Sequence, residues 1–290
     1  MTRPPWREFQ VALEQAGFRP SKTLGQNFLL DPNMARSLVR DAGVGAGDVV
    51  VEVGAGCGFL TVELAEAGCE VRAVEIDRRL FEIASEFLAP YERVRIVRGD
   101  ALAGKHRLGD ELAAILPDAP PFHVVANLPY SISAPLLALL AGRDPAPTSL
   151  SLLVQEEVAR KVAADPGTAD WGPLAARLDL GYERRVGRAV PPNLFWPRPR
   201  VESRVVHLRR RAGDPAAGEA RRGAFDRVVD ALFQQRRKTA LAALAGGLDD
   251  RGRAERVIAR AGIDPKARAG ELGTGALLAL ADGLLAEPPG

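Results

Sequence analysis

The first half of the chain alternates short runs rich in β-branched residues with stretches whose apolar positions recur every three to four residues. The runs Val49–Val53, Val71–Ile76, Val94–Arg98, Phe122–Ala126 and Ser149–Val154 predict strands. Helical spacing near Leu60–Ala67, Arg78–Leu88 and Ala134–Ala141 predicts helices between them, and this alternation predicts a parallel sheet covered by helices. A helix follows Gln155 over Glu156–Ala164, and the Gly-, Pro- and Asp-rich Asp165–Trp171 reads as a loop. Two more strands are expected at Tyr182–Val190 and Val201–Arg210, joined by the rigid Pro191–Pro199 connection. Ala212–Glu219 reads as a small-residue linker, and the chain beyond it looks wholly helical. Phe225, Val228, Val229, Leu232 and Phe233 form one apolar stripe, with Arg236, Arg237 and Lys238 near the C-terminal half of that helix. Shorter helices at Arg251–Ala261 and Thr274–Leu285 complete a small bundle. The expected organisation is therefore an α/β domain over residues 1–211 and a helical domain over 216–290, with no internal repeat.

Composition narrows the picture only modestly. The 290 residues, 47% hydrophobic and 26% charged, describe an ordinary soluble protein with room for one large and one small domain. No bilayer-length apolar stretch occurs, and the N-terminus Met1–Trp6 lacks an apolar signal core, so a cytoplasmic location is expected. Cys57 and Cys69 cannot build a disulfide framework, and no Cys/His spacing suggests zinc. His106, His123 and His207 are scattered, and no metal or histidine-based mechanism is indicated. The net charge of +2 hides an asymmetry: residues 1–182 carry 18 Lys/Arg against 24 Asp/Glu, whereas 183–290 carry 21 against 13. The basic half is a candidate polyanion surface or simply an Arg-rich solvated face, and charge alone leaves both open.

Four motifs carry chemistry. In Val51–Thr61 a strand runs into Gly54-Ala55-Gly56-Cys57-Gly58 and then a helix, letting backbone approach a ligand at the carboxyl edge of the sheet. Its Gly-x-Gly-x-Gly spacing departs from the dinucleotide fingerprint, and Glu52 before it would repel a pyrophosphate. Both favour S-adenosylmethionine, which carries a cationic sulfonium and no phosphate. Glu75 ends the second strand, where a carboxylate can accept ribose hydroxyls, and Asp100 follows the third, where it can accept an adenine amine. Either alone could equally be a helix cap. Asn127-Leu128-Pro129-Tyr130-Ser131-Ile132-Ser133 pairs an amide with an aromatic ring across a proline-stiffened turn, a combination suited to a flat base bearing an exocyclic amine. Finally, Leu24–Asp31 precedes a helix that Asp31 can cap and Pro32 can open.

Together these motifs resemble the ribosomal RNA adenine dimethyltransferases. Gln155–Ala159, Phe195-x-Pro197-x-Pro199-Arg200-Val201-x-Ser203, Arg236–Thr239 and Gly262–Pro265 are similar to the small-subunit branch of that family. The resemblance covers about residues 15–285 and implies a Rossmann-like class I methyltransferase domain, with a seven-stranded, mostly parallel sheet, and a small all-helical C-terminal domain. It implies S-adenosylmethionine as methyl donor, held by Gln26, Asn27, Leu29, Gly54, Ala55, Gly56, Glu75, Ile76, Asp100, Ala101 and Asn127. It places Asn127, Leu128, Pro129 and Tyr130 around a target adenine, with Tyr130 stacking on one face and Phe195 on the other. Arg200, Arg221, Arg222, Arg236, Arg237 and Lys238 would contact RNA phosphates. The implied reaction is N6 dimethylation of two adjacent adenines in the 3′-terminal hairpin of small-subunit rRNA, in a partly assembled 30S subunit, by a monomer. A large-subunit methyltransferase and a non-catalytic assembly factor are the alternatives.

Overall fold

The computed structural model describes residues 4–21, 23–29, 31–104, 106–119, 121–213 and 218–287. Leu30 of the N-terminal motif, the first three residues of Met1–Trp6 and residues 214–217 of the linker lie outside them. In chain order the elements are α1 (Trp6–Gln15), β1 (Phe28–Leu29), α2 (Pro32–Ala42), β2 (Val49–Val53), α3 (Phe59–Glu66), β3 (Glu70–Glu75) and α4 (Arg78–Leu88). Next come β4 (Val94–Arg98), α5 (Asp110–Ile115), β5 (His123–Asn127), α6 (Ser133–Gly142), β6 (Ser149–Gln155), α7 (Glu156–Ala163) and α8 (Pro173–Gly181). The chain continues with β7 (Tyr182–Val190), β8 (Phe195–Trp196), β9 (Ser203–Arg210), α9 (Glu219–Gln234), α10 (Ala240–Leu248), α11 (Arg251–Ala261) and α12 (Thr274–Ala286).

The main sheet has seven strands in the order β4-β3-β2-β5-β6-β9-β7. The first five are parallel, and β9 runs antiparallel to β6 from Ser149↔Arg209 to Gln155↔Ser203. The chain moves outward from β2 to β4 and then returns to the other side of β2 with β5. The β2/β5 boundary is thus a topological switch point, and the carboxyl ends of these strands form the crevice where ligands bind in such sheets. The expected mostly parallel α/β fold is the one observed.

By contact the chain divides into two compact units, residues 1–159 with 184–210, and residues 160–183 with 211–290. The first domain expected from sequence was continuous to residue 211, but residues 160–183 belong with the helical unit. The reason is packing: Trp171, Ala175, Ala176 and Leu180 share an apolar core with Phe225, Val228 and Leu232 of α9 and with Leu277 and Leu280 of α12. The Trp171 indole N–H donates to the Leu272 carbonyl at 3.1 Å, so the ring is buried with its polar atom satisfied.

In the first unit α1 is held by rings. Phe9 stacks on Phe87 at 4.1 Å and meets Phe59 edge-on at 5.6 Å. Asp31 caps α2 by accepting the Met34 N–H at 2.7 Å, and Gly43 closes it at φ 68°.

Candidate active site

The glycine turn after β2 is built by positive φ angles: +75° at Gly54, +59° at Gly56 and +90° at Gly58. The Gly54 and Ala55 N–H groups both donate to the Val74 carbonyl, at 2.9 and 3.2 Å, which folds the turn over the end of β3. Side chains close it in on two sides. A Cβ on Gly54 would stand 3.1 Å from the Pro129 ring, and one on Gly56 would stand 3.1 Å from the Phe28 ring. Glu75 is buried; its Oε2 accepts the Gly56 N–H at 2.7 Å and its Oε1 accepts the Asp77 N–H at 2.9 Å. Burial raises its pKa and the backbone N–H groups pull it back. Each oxygen keeps a lone pair for a further donor. Glu75 therefore shapes the turn as well as facing the cleft, a second role that spacing alone does not reveal.

Asp100 accepts the Leu102 N–H on Oδ1 at 2.9 Å, closing a short turn after β4. On the N-terminal side, Gln26 acts as a brace. Its Oε1 accepts the Ser21 N–H at 2.7 Å, and its Nε2 donates to Asp77, whose other oxygen caps α4. Asn27 donates its amide to the Gly25 carbonyl at 3.1 Å, and its own carbonyl receives the Asn127 Nδ2 at 2.8 Å. A carbonyl can only accept, so the Asn127 amide must turn its NH2 toward Asn27, which leaves Oδ1 as the acceptor for a ligand. The Leu128 N–H donates to the Leu153 carbonyl at 3.1 Å. Pro129 offers its carbonyl to the Ile132 N–H and the Ser133 hydroxyl, which carries the turn into α6. The Tyr130 hydroxyl lies 2.6 Å from Ser203 Oγ, and burial raises its pKa.

Every residue the sequence assigned to the cofactor, from Gln26 to Asn127, lines a single cleft of about 280 Å³, together with Leu128 and Pro129. Tyr130 and Phe195 are not among the lining residues. The Phe195 side chain is 3% exposed, belongs to the apolar core and pairs through its backbone with Leu29. The alternation along β8 turns Phe195 inward and the next residue outward.

Glu52 also lines the cleft. It is 1% exposed, and burial pushes its carboxyl up to about 8. Thr61 beside it offsets part of that rise, yet Oε2 has no hydrogen-bond partner of good geometry. Its sign was legible in the sequence, its orphaned oxygen was not. Burial pushes the Cys57 thiol up to about 12, so it is no nucleophile.

The residues assigned to RNA are not equivalent. Arg200 is exposed in the first unit. In the second, Arg221 makes two 2.7 Å bonds to Asp282, an ion pair within the bundle that leaves it poorly disposed to a phosphate. Arg222, half-buried near the start of α9, also has a partner. Arg236, Arg237 and Lys238 do not continue α9 as expected. The helix ends at Gln234, and the three residues form the turn before Thr239, whose hydroxyl caps α10 by accepting the Ala242 N–H. Arg236 donates to the Thr168 carbonyl at 3.1 Å, while Arg237 and Lys238 are exposed.

Comparison with known proteins agrees with this geometry. The family model for ribosomal RNA adenine dimethylase matches residues 17–284. A ribosomal RNA small subunit methyltransferase A of Nocardia farcinica is 43% identical over 282 residues, covering 94% of this chain and 93% of its own length. The protein of the same name in Moorella thermoacetica is 42% identical, covering 93% of each. Among solved structures, a dimethyladenosine transferase of Plasmodium falciparum shares the fold, with a TM-score of 0.70 at 22% identity over 86% of this chain and 94% of its own. The 23S rRNA methyltransferase ErmE superposes with a TM-score of 0.62 at 27% identity, over 89% of this chain and 99% of its own. With a family model spanning most of its length and close relatives aligning along nearly all of it, this methyltransferase belongs to the ribosomal RNA adenine dimethylase family.

Proposed function

We propose that the chain uses S-adenosylmethionine to dimethylate the N6 amine of two adjacent adenines in the 3′-terminal hairpin of small-subunit rRNA, acting as a cytoplasmic monomer on a partly assembled subunit. The observation that carries this reading is the charge of the cleft. Among the described residues its acid–base lining carries the carboxyls of Glu52, Glu75 and Asp100 and no Lys or Arg, and a cationic ligand would draw the buried carboxyls toward their ionised form. Such a lining repels phosphates and suits a ligand bearing an ammonium and a sulfonium. The missing Cβ atoms at Gly54 and Gly56 let the Pro129 and Phe28 rings close on the turn that lines the cleft. Glu75 retains acceptor capacity for ribose hydroxyls, and Ile76 and Ala101 give apolar surface for a purine. The orphaned Oε2 of Glu52 is a further acceptor for the ammonium.

When bound, S-adenosylmethionine supplies an electrophilic methyl group on a good leaving group. The chain's task is to present a poor nucleophile to it in line. Asn127 Oδ1 and the Leu128 carbonyl accept the two N6 hydrogens, which localises the lone pair and stabilises the positive charge that develops on nitrogen. An amide is too weak a base to keep the proton, which leaves to water. The Tyr130 ring, steadied through its hydroxyl by Ser203, stacks on one face of the base. Phe195, buried against β1, braces that side of the site.

The small-subunit substrate is favoured by identities of 42–43% to proteins named for that subunit, against 27% to the 23S rRNA enzyme. The test incubates the protein with methyl-labelled S-adenosylmethionine and small subunits from a strain lacking this methylation, then maps the label. Dimethyladenosine at two adjacent positions near the 3′ end is expected. Label on large-subunit RNA would replace the proposed substrate, and tight subunit binding without any label would replace the enzyme with an assembly factor.

A further inference from the structure

The segment from Phe195 to Ser203 is tied to the site at both ends. At its start, β8 pairs antiparallel with β1, setting Trp196 opposite Phe28 and Phe195 opposite Leu29. At its end, Ser203 bonds the Tyr130 hydroxyl. Between these anchors Trp196, Arg198, Arg200, Val201 and Glu202 are exposed, and Pro197 and Pro199 are half-buried. Trp196 is 38% exposed, and its inner face stacks on the Phe28 ring at 5.8 Å and 28°. Phe28 in turn lies against Gly56 of the cofactor turn. The indole thus has a rigid aromatic backing and one free face, one ring removed from the cleft. No sequence argument drew attention to it, since the expected aromatic was its neighbour Phe195.

We propose that Trp196 is a stacking platform for the nucleotide next to the methylated adenine, with Arg198 and Arg200 contacting the phosphates that flank it. The proposal rests on the RNA-methylating function proposed for the cleft and adds a substrate-positioning site to it. Three features point to single-stranded RNA as occupant. A base removed from its own stack needs an aromatic face. Guanidinium groups spaced along the same strap supply the counter-charges for its backbone. Both ends of the strap are held by residues of the site itself, so a nucleotide on Trp196 is bound in fixed relation to the Asn127 turn. A ring already stacked on its inner side loses little freedom on binding.

The experiment measures steady-state methylation of undermethylated small subunits by wild type, Trp196→Ala, Trp196→Leu and Trp196→Phe. S-adenosylmethionine affinity is measured by calorimetry in parallel. Loss of stacking should raise KM for subunits about tenfold in the Ala and Leu variants while kcat and cofactor affinity stay within about twofold, and Phe should restore most of the loss. Leu matching Phe would show that the site needs bulk and not a π-face, and an unchanged KM in Trp196→Ala would remove the platform altogether. A matching fall in cofactor affinity would make Trp196 a mere support for Phe28 and the glycine turn. A second readout survives failure of the proposed reaction. Quenching of 2-aminopurine in a single-stranded adenine-containing RNA hexamer should occur with wild type and Trp196→Phe and be lost in Trp196→Ala and Trp196→Leu. Quenching without methylation would sink the enzymatic reading and keep the platform, and equal quenching by all four proteins would do the reverse.

Discussion

Asn127 shows how one contact decides what a side chain can do. Its sequence neighbours mark it as an amide beside a ring, but which end of that amide faces a ligand depends on the Asn27 carbonyl, 100 residues away in the chain. With NH2 engaged there, Oδ1 is left to accept from a base, and Asn127→Ala removes that acceptor without touching Glu75 or Asp100. Turnover should fall at least about a hundredfold, worth about 3 kcal/mol of transition-state stabilisation. Cofactor affinity, read by calorimetry, should stay within a few fold; a variant keeping most of its turnover would refute the acceptor role. Glu52 makes a second residue-level case. Its carboxyl stands at about 8 in the folded chain against an ordinary 4.5. Below about pH 4.5 both folded and unfolded chains hold the proton. Between there and about 8 only the folded chain keeps it, so rising pH draws the chain toward unfolding by about 1.4 kcal/mol per unit. Above about 8 both are ionised and the slope ends. Glu52→Gln removes this term. It should melt within a few degrees of wild type at pH 5 and roughly 5–10 °C above it at pH 8.5; parallel curves across that range would show that Glu52 is ionised when folded.

Elements were legible in proportion to the contrast in their pattern. The ends of β2, β4, β7, α4 and α11 fall where the sequence puts them, because β-branched runs and capped amphipathic turns announce their own limits. The bounds of α10 were missed for an opposite reason. Ala240–Leu248 lies in a stretch that reads as helical, but with no polar positions it shows no face from which to set its bounds. A Cβ on Gly247 would overlap Ala231 of α9, so that glycine permits close helix contact and does not break the helix. The site was legible at the strand ends, where chemistry and position coincide. In the strap, pattern alone does not say which of two adjacent rings is buried, and the structure buries Phe195 and exposes Trp196. The glycine turn gives a test at this scale. Gly54→Ala places a β-carbon against the Pro129 ring at φ +75°, whereas Gly47→Ala, at φ +88°, meets nothing within 4 Å. Both bear a backbone cost of about 1–2 kcal/mol, but the first alone must displace the turn that carries Asn127. Cofactor affinity should therefore drop more than tenfold in Gly54→Ala and stay unchanged in Gly47→Ala, and equal effects would mean that strain, not the close approach, governs the turn.

At the scale of the whole chain, the basic excess after residue 183 overstates the charge available to RNA. Counting arginines does not show which are already spent. Arg177 holds Asp226 and Asp230, Arg221 holds Asp282, and Arg256 and Arg260 both reach Glu287, so several cations of the helical unit are matched within it. Arg237 and Lys238 are exposed side by side in the turn between α9 and α10. If they meet phosphates, neutralising both should weaken binding to undermethylated small subunits and lower the slope of log affinity against log salt by about 1.5–2. Arg221→Ala should behave differently. It frees Asp282, whose carboxyl that guanidinium holds below its usual range, and should lower the melting temperature by a few degrees while leaving the salt slope in place. The pair of results separates two meanings of a basic surface, one that binds and one that holds a bundle together. An unchanged slope in the Arg237/Lys238 variant would make that turn a solvated corner and shift the search for phosphate contacts to Arg198 and Arg200 beside Trp196, where a charge loss should reduce the slope and raise KM together.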